Sequence, residues 1–199
     1  MNFKTLKILF LTLKTFSATG GIEKVCRLAG KAIHGYDKES GKDFAMYSMV
    51  DEKETKSEPY LPSALFKGFA GRRFWFIIKS VQLGIKSRVV VLSHIDLLLP
   101  GYLIKLFSPK TKVVLIAHGI EEWGPFSTHK KRMLKRIDLI LSVSNITKEK
   151  MKTLFDLPEE KFRVVNNCLD PFLQVPADES RRNECRGIYG IAENDFCFR

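Results

Sequence analysis

The chain has 199 residues, 45% of them hydrophobic and 28% charged, which is enough apolar material for a sizeable core and excludes a disordered segment. Lys and Arg number 33 against 22 Asp and Glu, a formal net charge of +11, and that excess favours anionic partners: phosphates, nucleic acid or an acidic membrane surface. No apolar run reaches the roughly 20 residues that span a bilayer, and Cys26, Cys168, Cys185 and Cys197 form neither a C-x-x-C pair nor a ligand cluster with the histidines, so reduced thiols in the cytoplasm and no metal are expected.

Apolar runs of strand length alternate with stretches of helical period, the pattern of an α/β domain with a parallel sheet. The first strand is expected over Lys7–Leu13. Its apolar part is too short for a signal peptide, and Lys14 follows without a small-residue cleavage site. The chain then crosses Gly20 and Gly21 into a helix from Ile22 to about His34, with Ile22, Val25, Ala29, Ala32 and Ile33 on one stripe that should lie on the sheet. A strand at Phe44–Met49 follows, and the polar stretch Asp51–Pro62, with two prolines, reads as a mobile surface loop.

Ser63 to about Lys86 reads as helical. Strands are expected at Val89–Ser93, Val113–Ala117, Asp138–Val143 and Arg163–Asn166, and helices at Leu97–Phe107, Thr128–Arg136 and Asn145–Phe155, the last N-capped by Ser144. "VVVLS", "VVLIA" and "LILSV" are apolar on consecutive positions, as when helices cover both faces of a sheet. Pro171 and Pro176 mark a linker, Glu179–Tyr189 a short helix, and Phe196-Cys197-Phe198 the opening of a strand that needs a further domain to pair with. The division expected is residues 1–175 as one domain, with 176–199 as a linker and the truncated start of a second.

In an open parallel sheet, ligands gather beyond the carboxyl ends of the strands. Ser17, Thr19, Gly20 and Gly21 follow the first strand, His94 follows "VVVLS", His118 and Gly119 follow "VVLIA", Ser144 follows "LILSV", and Asn166, Asn167 and Asp170 follow "FRVV". The glycine pair lets a phosphate approach the main chain at a helix N-terminus; a tight turn without a ligand produces the same pair. The spacing is not G-x-G-x-x-G and no acidic residue ends the second strand, which disfavours nicotinamide dinucleotides. His118 can hydrogen-bond a sugar hydroxyl or phosphate at neutral pH. Basic and aromatic residues mix in "KGFAGRRFWFIIKSVQLGIKSR", either as a helix docked on an anionic bilayer or as one packed on the sheet with its charges in water. Nucleic acid is not expected, since no recognisable binding motif is present.

Together, "GGIEKV", "VVLIAHG", "DLILSVSNITKEKM" and "LPEEKFRVVNNCLD", in this order from about Lys7 to Asp170, resemble the N-terminal domain of GT-B glycosyltransferases, in particular the subfamily-4-like domain of retaining nucleotide-sugar transferases. The resemblance implies a Rossmann-like parallel sheet that forms one half of a two-domain enzyme. This half would mainly hold a glycan or lipid-linked acceptor, and the other half most of the nucleotide-sugar donor, with no cofactor or metal. By motif, Gly20 and Gly21 would sit against the donor diphosphate, His118 at the catalytic position beside the transferred sugar, and Thr19, His94, Gly119 and Ser144 around acceptor or sugar. Cys168 stands where the family's closing Asn-Gly-Val-Asp motif has glycine. The donor-gripping glutamate pair belongs to the second domain, so this half alone should be inactive. The alternative is a non-catalytic module of the same fold that docks on a partner or membrane.

Overall fold

The apolar runs become strands because their residues can be buried on both sides at once. The computed structural model describes residues 8–36, 44–119, 123–124, 126–172 and 179–192. The elements are β1 (Ile8–Thr12), α1 (Gly21–Tyr36), β2 (Phe44–Ser48), β3 (Phe66–Gly68), α2 (Arg73–Gly84), β4 (Val89–Leu92), α3 (Leu98–Phe107), β5 (Lys112–Ala117), α4 (Thr128–Lys135), β6 (Leu139–Ser142), α5 (Asn145–Phe155), β7 (Phe162–Val164) and α6 (Glu179–Ile188). The strands form one sheet in the order β3-β2-β1-β4-β5-β6-β7, and every neighbouring pair is parallel. This is the expected Rossmann-like α/β architecture.

Two compact units are present, Met1–Cys168, which contains the sheet, and Leu169–Arg199, which contains α6. Helix α6 closes at Gly190 (φ 64°), where the Ile191 amide bonds back to the Arg186 carbonyl at 2.9 Å. The expected linker around Pro176 and the terminal Phe196–Phe198 strand lie outside the described residues.

Right-handed crossovers from a central β1 send the helices to the two faces unevenly. On one face Leu9, Leu11, Val90, Leu92 and Leu115 pack with Phe76 of α2, Ile104 of α3, Leu134 of α4 and Met151 of α5. On the other, Phe10, Met46, Val91 and Ile116 pack with Cys26 of α1 and with Leu61. Of the expected stripe of α1, Ile22, Ala29 and Ile33 pack against this cluster while Ala32 is exposed, and the residues that α1 buries are Cys26, Leu28 and Gly30. Beyond α1 that face is open, forming an apolar trough of about 430 Å³ lined by Val25, Ala29, Val91, Ile116 and Leu141.

Two expectations are corrected. Ser63–Lys86 is not one helix: a 3-10 turn at Ser63–Leu65 leads into β3, and α2 begins only at Arg73. Ala70 (φ 51°) and Gly71 (φ 74°) make the break, in a tight turn closed by the Arg72 amide on the Phe69 carbonyl at 3.0 Å. The Asp51–Pro62 segment is not a loose surface loop, because Asp51, Ser57 and Leu61 are buried within it. Since alanine in the left-handed region is disfavoured, Ala70→Gly is expected to raise stability by about 0.5–1 kcal/mol after the added freedom of the unfolded chain is counted. Urea denaturation will measure it.

Candidate functional site

All seven strands run the same way, so the loops after them share one rim, and the sequence-derived residues lie along it. Thr19, Gly20 and Gly21 are exposed at the turn into α1. The Lys24 amide makes the first helical bond, to the Gly20 carbonyl at 3.0 Å, so the amides of Gly21 and Ile22 belong to the turn whose donors lack intrahelical partners. The Glu23 carboxylate occupies the space beside Gly20, while the space beside Gly21 is open.

The loop between β1 and this turn is held by Asp51. Its carboxylate accepts the amides of Thr15 (2.7 Å), Phe16 (3.3 Å) and Ser17 (2.9 Å), the Ser48 hydroxyl at 2.6 Å and the Ser17 hydroxyl. Burial would push this carboxyl up, but the bonds from Ser17, Ser48 and Thr15 outweigh it and hold the group below its ordinary value. A carboxylate depressed in the folded state contributes stability above its unfolded pKa and loses it as the pH falls through the folded one. The wild-type chain should therefore lose stability below about pH 4, and Asp51→Asn should flatten that slope, as measured by denaturation across pH 2.5–6. Asp51 is an acidic residue near the end of the second strand, but it faces the protein's own amides and not a ribose.

Ser93 ties the middle of the rim together. Its amide donates to the Leu11 carbonyl at 2.9 Å, and its carbonyl lies 2.9 Å from His118 Nε2. Because a carbonyl can only accept, Nε2 carries the proton and the ring of His118 is fixed in orientation. The Ser93 hydroxyl bonds the Cys26 thiol, which burial pushes up to about 12 despite that bond. The second turn of α1, the end of β4 and His118 thus meet around one residue.

His94 stands beside them with its Nδ1 accepting the Asp96 amide at 3.1 Å, capping the 3-10 turn Ile95–Leu97. Asp96 reaches Lys130 of α4 at 2.6 Å, and this bond lowers the Asp96 carboxyl below its ordinary value. Gly119 follows His118 and is half-buried. Ser144 caps α5 as expected, accepting the Thr147 amide at 3.2 Å and donating to the Thr147 hydroxyl at 3.1 Å. Among the described residues, no group of three or more His, Cys, Asp or Glu could hold a metal ion, and no helix is long and apolar enough to cross a membrane.

The sequence profile of Glycosyltransferase Family 4 matches residues 34–171, well over half of the chain. The chain belongs to Glycosyltransferase Family 4. Among solved structures, this family-4 domain is similar to Anabaena HepE in complex with UDP and glucose, at 19% identity and a TM-score of 0.67, covering 95% of this chain and 51% of that one. It is similar to the lipopolysaccharide outer core galactosyltransferase WaaB in its apo form, at 16% identity and a TM-score of 0.55, covering 87% and 49%. A glycosyltransferase from Rickettsia africae matches at 15% identity and a TM-score of 0.55, covering 94% and 51%. The family-4 domain therefore spans about half the length of the solved structures it resembles. No curated protein matches it.

Sequence reasoning missed Asp51, Ser93 and Arg27 at this rim. Arg27 donates to the Ala18 carbonyl at 3.2 Å from within α1, with its guanidinium over the Tyr60 ring at 5.7 Å. The available signal for Asp51 was its place directly after the second strand, on the edge where the other site residues lie.

Proposed function

We propose that the chain is the acceptor-side half of a glycosyltransferase that moves a sugar from a nucleotide-sugar donor to a glycan or lipid-linked acceptor with retention of anomeric configuration. The observation that carries this reading is the rim itself: Gly21, with its open flank, starts α1 after β1, and the ring of His118, held by the Ser93 carbonyl at 2.9 Å, follows β5 of the same parallel sheet. Family membership supports it, and related folds have been solved with UDP and with UDP-glucose. Gly20 and Gly21 take the donor diphosphate on backbone donors at a helix N-terminus. His118 faces the transferred sugar, where fixed dipoles stabilise the charge that develops as the diphosphate departs. Thr19, His94 and Gly119 border the acceptor, and Ser144 contributes chiefly by holding α5.

The donor is gripped mainly by a second domain, so this half alone does not turn over. The test is nucleoside diphosphate release from a panel of nucleotide sugars, with and without the remaining half supplied. Turnover only with both halves supports the reading; turnover by this chain alone overturns its inactivity. Absence of turnover with both halves favours the non-catalytic module.

A second reading concerns α2. Phe69 and Phe76 are buried, but Phe74 is 71% and Trp75 is 55% exposed, directly after Arg72 and Arg73. Rings beside cations at a helix start suit an anionic bilayer surface. Sedimentation with liposomes containing about a third acidic lipid should carry the chain down, and Trp75→Ala with Arg73→Glu should abolish this. Equal sedimentation with neutral liposomes would remove the charge-based part of the reading.

A further inference from the structure

We propose that Asp51 is a positioning residue of the rim, an internal anion that sets the course of residues 13–19 and thereby the stance of Gly20 and Gly21. Three consecutive amides turned toward one anion make the kind of nest that phosphate loops present to a ligand. Here the nest of Thr15, Phe16 and Ser17 is filled by the protein's own buried carboxylate. An external diphosphate cannot use those donors and is left with the next ones along the chain, at the start of α1.

The main chain of Asp51 is pinned as firmly as its side chain. Its carbonyl accepts the Ala70 amide at 2.8 Å, and the carbonyls of Asp51 and Glu52 press on Gly68 so closely that a Cβ there would overlap them. One residue therefore binds the loops after β1, β2 and β3 into a single body. Apolar contacts repeat the link: the Phe16 ring meets Phe66 edge-on at 4.9 Å and Tyr60 at 6.3 Å. A displacement of the β2 or β3 loop is thus transmitted to the glycine turn, where the diphosphate sits. That last step rests on the functional reading above; the positioning itself does not.

The test is amide hydrogen exchange and amide chemical shifts on the isotope-labelled chain, with UDP as the titrant. The variants are Asp51→Asn, which keeps the shape but turns an NH₂ group on to the donors, and Ser17→Ala, which removes one bond and serves if Asp51→Asn does not fold. Ile140→Val is a destabilised control with the loop contacts intact. In Asp51→Asn the amides of Thr15, Phe16 and Ser17 are expected to exchange at least about tenfold faster relative to β4 and β5, as when charged hydrogen bonds are lost. The resonances of Gly20 and Gly21 should move before any UDP is added. Ser17→Ala should do the same to a smaller degree, and Ile140→Val should change neither.

Unchanged exchange ratios, or Gly20 and Gly21 resonances that stay in place, overturn the proposal. If UDP leaves the wild-type glycine resonances untouched even with the remaining half supplied, the donor-site reading fails separately, while the exchange and shift data still decide whether Asp51 positions the turn.

Discussion

On the functional reading proposed above, His118→Ala, assayed with both halves supplied, is expected to lower kcat/KM for sugar transfer about 100-fold, the effect of removing one preorganised polar group from a reacting centre. The loss should fall on kcat more than on KM, because a group in the position proposed for His118, beside the sugar where charge develops, is worth more in the transition state than in the ground state. Ser93→Ala is the informative comparison. It deletes the hydroxyl on Cys26 but keeps the main-chain carbonyl that holds His118 Nε2 at 2.9 Å, so it should retain most activity. Steady-state kinetics of both variants, with circular dichroism to establish folding, will check this. Equal losses in the two would mean that the strand end, and not the imidazole, matters.

Gly68→Ala is expected to cost about 3 kcal/mol and to lower the melting temperature by roughly 6–12 °C for a domain of this size. The reason is the identity of the atoms in the way. A Cβ at position 68 would overlap the main-chain carbonyls of Asp51 and Glu52, and backbone cannot swing aside as a side-chain tip can. The pressure falls on the residue that holds the β1 loop, so the damage should reach Thr15–Ser17 as well. Gly21→Ala gives the contrast: nothing lies within 4 Å of a Cβ built there, and its stability change should stay within about 1 kcal/mol. Thermal melts of the two variants side by side decide the point.

The fold was legible where burial imposes an unbroken apolar run. β4, β5 and β6 announce themselves as "VVVLS", "VVLIA" and "LILSV", and α5 begins and ends where its pattern and its Ser144 cap place it. β3 was not legible, because three residues, Phe66–Gly68, are too few to show a period and sit among aromatics that also suit a helix. The Asp51 segment misled for a different reason. Its composition is that of a solvated loop; Leu61 is buried by packing with Phe10 and Met46, and Asp51 is held inside by amides from residues 15–17, whose directions depend on the chain path and not on side-chain type. The same holds for Ser93, whose importance lies in its carbonyl and amide.

The strand order has a consequence for synthesis. β1 emerges first yet is central, and Ile8 pairs with Phe44 on one side and Val89 on the other. Its second neighbour is translated only after most of the first half of the chain has left the ribosome, which at roughly 5–20 residues per second is a delay of seconds. Throughout that interval one edge of Leu9, Phe10 and Leu11 has no native partner strand, so the nascent chain offers a chaperone a short apolar target, and this topology of distant pairings commits it to slow assembly.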